Sequence, residues 1–174
     1  MMKTKRLASL AMMIAVNVVL SIIAPIKLLN FKITFEAFPI LLSGIIGGPI
    51  DGLIVGTLGS FIYQLLFSGY GLTITTPLWI LPHAISGLIV GLYSKRNFYT
   101  LNKSQYIGIC IVSSLTVTFL NTIAIYIDAK IFEYYTFSYV FGSIFIKIIA
   151  GIILSILYSL LIPQIIKRIN INTK

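Results

Sequence analysis

Apolar residues fill this sequence in long stretches, and the short breaks between them carry most of its charge. Stretches of this length read as helices, and most approach the roughly 20 residues that cross a bilayer. The pattern predicts six. The first runs from about Arg6 to Ile26. A polar segment, Lys27 to Thr34, leads to a short second helix from about Phe35 to Gly47. Thr34 suits its cap, and Glu36 suits a first turn whose dipole favours a carboxylate. Gly47-Gly48-Pro49 separates it from a third helix, Pro49 to Phe67. There proline starts the first turn and Asp51 reads as a capping charge.

Ser68-Gly69-Tyr70-Gly71 breaks the chain next. Glycine there supplies positive φ. A fourth helix follows from about Pro77 to Tyr93, capped by Thr75 or Thr76 and kinked at Pro82. After a basic loop, Ser94 to Ser104, a fifth helix covers about Gln105 to Tyr126. Asp128, Lys130 and Glu133 mark an outside loop. The sixth helix spans about Tyr139 to Ile162 and is ended by Pro163 and a basic tail.

Composition sharpens this picture. The 174 residues are 58% hydrophobic and 10% charged, which a water-soluble domain of this size does not carry. The expected fold class is an all-α integral membrane protein, one domain over residues 1–174. The first apolar run is too long for a signal-peptide core and is kept as a helix.

Net charge is +9, and nine of the thirteen lysines and arginines fall in three clusters. These are Lys3-Lys5-Arg6, Lys95-Arg96-Lys103 and Lys167-Arg168-Lys174. Short clusters beside apolar helices are cytoplasmic anchors, so both termini are expected inside; a nucleic-acid footprint needs a basic face on a folded surface. Cys110 is the single cysteine, which excludes an internal disulfide and a cysteine-rich metal site. No nucleotide-binding loop, paired carboxylates, HExxH or nucleophile elbow is present, so neither catalysis nor a bound cofactor or metal is expected.

Small residues recur at helical spacing. Gly44, Gly48, Gly52, Gly56 and Ser60 fall four apart, and Gly87 and Gly91 answer them in the fourth helix. Such stripes let helices approach backbone to backbone in lipid. Ala8, Ala11 and Ala15 form another stripe, which fits either internal packing or a partner. Candidate ligand chemistry gathers at the outer helix ends: Lys32, Tyr70, Trp79, His83, Asn121 and Lys147. Aromatic rings there can stack on a planar ligand or form an interfacial belt. A lysine as deep as Lys147 must snorkel, pair, or meet an anionic ligand.

The basic start with RLASLAMMIAV, the stretch FKITFEAFPILLSGIIGGPIDGLIVG, the helix PLWILPHAISGLIVGLY and LNT at residues 120–122 together resemble the substrate-binding S components of energy-coupling-factor (ECF) vitamin transporters. The resemblance covers nearly the full length, and the SGYGL loop and LNT look most like the folate group. It implies a vitamin-type small molecule as ligand and a bacterial plasma membrane as location. It also implies three partner subunits: an ECF transmembrane coupling protein, docked on an AxxxA motif matched by Ala11 and Ala15, and two ATPase subunits. Another vitamin or precursor remains open. The alternative is an MreD-like structural scaffold, which has no reason to gather polar residues in one outer half.

Overall fold

The computed structural model describes residues 2–23, 26–28, 31–69 and 71–171, with side chains described over 4–23, 34–69, 71–168. The order is α1 (Met2–Ile23), β1 (Ile26–Leu28), β2 (Phe31–Ile33), α2 (Ala37–Gly47), α3 (Pro49–Phe67), α4 (Thr76–Arg96), α5 (Lys103–Ile131), α6 (Phe137–Phe141) and α7 (Ile144–Ile171). Five apolar helical segments are long enough to cross a membrane: α1, α3, α4, α5 and the stretch from Phe137 through α7. The sixth expected span, α2, has 11 residues, about 16 Å at the helical rise. The membrane part is thus wholly helical. Between α1 and α2, β1 and β2 pair as an antiparallel ribbon, with Lys27 opposite Lys32.

α3 has the bounds expected from its flanking Gly-Pro and Ser-Gly signals, and Gly69 and Gly71 take φ of 82° and 66°. Other boundaries differ. Ile26 belongs to β1, so α1 ends earlier than predicted. Asp128 and Lys130 lie in the last turns of α5 rather than in a loop. Phe137–Phe141 forms a separate short helix before α7. Pro163 does not end the last helix but sits inside α7, which runs to Ile171. Thr75 occupies the α4 cap position without a side-chain capping bond; the Thr73 amide donates to the Thr76 hydroxyl at 2.8 Å.

Glycine sets the packing of the middle of the bundle. A Cβ on Gly52 would stand 2.4 Å from the Gly87 carbonyl oxygen, and one on Gly87 would stand 2.2 Å from that of Gly52. Gly91 meets Pro49 and Gly44 meets the Gly87–Gly91 backbone in the same way. α2, α3 and α4 therefore touch main chain to main chain. Ser94 adds a hydrogen bond from its hydroxyl to the Ile45 carbonyl, 2.7 Å. α4 packs on α2, α3 and α5; α7 lies against α5, and α1 leans on α2 and α3.

Two apolar clusters fill the interior. The larger joins Leu41, Leu42 and Ile45 of α2 to Val90, Ile109, Tyr158 and Ile162. The smaller lies toward the other ends of α4 and α5, where Trp79 packs against Ile125, Ala129 and Val140.

Candidate functional site

Between those clusters the helices change character. α4 contributes His83 and Ser86 to this layer, and α5 contributes Ser113, Ser114, Thr118, Asn121 and Thr122. The Ser86 and Ser113 hydroxyls are 2.6 Å apart, both buried. A Cβ on Gly151 of α7 would touch the Ser114 hydroxyl at 2.2 Å and approach that of Thr118 at 3.8 Å. Lys147 stands one turn before Gly151 on the same helix face, level with the Thr118–Thr122 turn of α5. Its ammonium nitrogen is buried, so it does not snorkel to the surface. Its N–H on the main chain donates to Ser143, directly after the break between α6 and α7.

Glu36 joins α1 and α4 to the start of α2. It stands at the cap position of α2, where the helix dipole favours a carboxylate, and makes no side-chain capping bond. Instead the Ser21 hydroxyl of α1 donates to Glu36 Oε2 at 2.5 Å. His83 Nε2 lies 3.5 Å from Glu36 Oε1, an ion pair when the imidazole is protonated. The Asn17 amide, also from α1, donates to the Glu36 main-chain carbonyl at 2.7 Å. Asn17 is 0% exposed and fits because Gly59 has no side chain there. Gly56 likewise lets α3 rest on the His83 main chain. A buried carboxylate is costly in a membrane, and Ser21 and His83 offset that cost. His83 Nδ1 and Asn17 Oδ1 are buried with no hydrogen-bond partner among the described residues.

Of the residues expected to bind a ligand, Trp79 and His83 lie one turn apart in α4, Asn121 lies in α5 and Lys147 in α7. Lys32 lies in β2, with its side chain outside the described residues, and Tyr70 lies outside them altogether. Sequence reading gave Glu36 only the end of its own helix and missed Asn17 and Ser21. Those two stand four apart in an otherwise apolar run of α1, the polar helix-face signal that marks them.

Ala8, Ala11 and Ala15 are all exposed, on the side of α1 turned away from Asn17 and Ser21. They do not serve internal packing. Asp51 is not only a capping charge: it is buried, and Arg6 of α1 forks onto it, with Nε at 3.0 and 3.2 Å from the two carboxylate oxygens.

The profile described as "ECF transporter, substrate-specific component" matches residues 5–162. Among solved structures, the S component for biotin from an ECF-type ABC transporter aligns with a TM-score of 0.71 at 18% identity. The alignment covers 95% of this chain and 93% of that one, which is a likeness of fold. Comparison with curated proteins returns no match. With its helical bundle and a profile match over nearly its whole length, this chain belongs to the family of substrate-specific components of ECF transporters.

Proposed function

We propose that this chain captures an anionic, ring-bearing vitamin from outside and passes it inward with an ECF coupling protein and two ATPase subunits. The observation that carries this reading is the set of ionisable groups buried within an apolar bundle: the Lys147 ammonium in α7 and the Glu36–His83 pair between the start of α2 and α4. A scaffold gains nothing from burying an ammonium and a carboxylate in lipid. Lys147 supplies a cation for a ligand carboxylate, Asn121 a donor and acceptor, and Trp79 a ring face. Lys32 adds positive charge at the mouth. The segment Lys27–Thr34 and the loop Ser68–Thr75 serve as the lid. Six spans with both termini in the cytoplasm complete the arrangement, and the exposed alanines of α1 form the docking face for the coupling protein.

Folate is the first candidate substrate, because the SGYGL loop and Leu120-Asn121-Thr122 resemble that group; its carboxylates and planar ring suit Lys147 and Trp79. Biotin is the second, since it is the ligand named for the solved S component of like fold. Mass spectrometry of small molecules retained through purification in mild detergent, followed by titration with folate and biotin, tests the reading. Retention of a carboxylated vitamin is the expected result. A protein that retains nothing and binds neither compound would overturn it.

A further inference from the structure

A second cavity, about 450 Å³, opens between α1 and α2 at the end of the bundle opposite Trp79. Leu10 and Met13 form one wall, Leu42 and Ile46 the other. Ser43 lines it too. That residue is only 7% exposed, and its hydroxyl has no hydrogen-bond partner among the described residues. At the mouth, Asp51 holds Arg6 by Nε and Nη2, yet the arginine side chain is 56% exposed. A guanidinium has five N–H donors, so one fixed in this way still has donors for a second acceptor.

We propose that this groove binds one anionic phospholipid from the leaflet at the basic end of the bundle. The phosphate sits on Arg6 and on the exposed Lys5, a glycerol oxygen meets Ser43, and one acyl chain lies along the apolar walls. Charge favours an anion: Arg6 and Lys5 outweigh Asp51 by one. The basic clusters also place this end at the leaflet whose anionic lipids attract lysine and arginine. The exposed alanines lie on another side of α1, so a partner bound there leaves the groove open to lipid.

Native mass spectrometry and thermal unfolding of the full chain in detergent test this, with phosphatidylglycerol, phosphatidylcholine and inorganic phosphate as probes. One phosphatidylglycerol is expected to bind and raise Tm more than phosphatidylcholine does, with no effect of phosphate. Ile46→Trp fills the groove and should abolish that binding, whereas Phe61→Trp, in a groove between α3 and α4, should not. Lys5→Gln, an exposed change that leaves the fold intact, should weaken it about fivefold. Equal response to the two lipids, protection by phosphate alone, or undiminished binding by Lys5→Gln would overturn the proposal.

Discussion

Glu36 Oε1 lies 3.5 Å from His83 Nε2, although 46 residues separate them in the chain. Through the other carboxylate oxygen the same group reaches Ser21, so three helices meet at one side chain. Glu36→Ala should lower stability by about 1–2 kcal/mol, because it removes the partner of the His83 imidazole and one acceptor of the Ser21 hydroxyl, which keeps the Asn17 carbonyl at 2.9 Å. Glu36→Gln should cost less. In a double-mutant cycle with Ser21→Ala, thermal unfolding should give less-than-additive losses. Additive losses would mean that the two do not interact.

The close approach of α3 and α4 makes a second, sharper expectation. Gly87→Ala forces a Cβ onto the Gly52 carbonyl and should destabilise by about 1–3 kcal/mol. At Gly108 a Cβ meets nothing within 4 Å, so Gly108→Ala should be neutral or stabilising by up to about 1 kcal/mol. Equal unfolding temperatures for both variants would contradict the packing described above.

If the exposed alanines are the docking face, Ala11→Trp or Ala15→Trp should prevent co-purification with the coupling protein. Ligand affinity should stay unchanged. Normal assembly of both variants would move the docking face elsewhere.

Lys147 can be tested against its purely structural role. Lys147→Met should weaken binding of a carboxylated vitamin roughly ten- to a hundredfold, about 1.5–3 kcal/mol, and Lys147→Arg should recover part of it. Wild-type affinity in the Met variant, together with earlier unfolding, would assign the lysine to structure alone.

The segment Lys27–Thr34 and the loop Ser68–Thr75 should exchange amide hydrogens more slowly when ligand is added, as closing lids do. Unchanged exchange at saturation would rule out a lid in these segments.

How far the sequence reached depended on the range of each signal. α3 was legible to the residue because Gly48-Pro49 and Ser68-Gly69 punctuate it locally. α7 was not, since Pro163 is accommodated inside the helix, which runs on to Ile171. Asp51 and Glu36 each had a sufficient local explanation at a helix start, which hid partners far off in the chain. Arg6 is 45 residues from Asp51, and Ser21 is 15 from Glu36. No spacing rule reports such pairs. The deep position of Lys147 was readable because helix direction sets depth, and its ammonium nitrogen is buried.

The two polar attachments of α1 also fix its rotational phase. Arg6 and Asn17 are 11 residues apart, close to three full turns, so both project to the same side. Together they act like two keys on one shaft. Inserting or deleting one residue between them would twist one key about 100° from its slot. Length in this stretch is therefore constrained more tightly than composition: apolar residues there can be exchanged for one another, but their number cannot change without either losing an attachment or turning the alanines away from the bilayer.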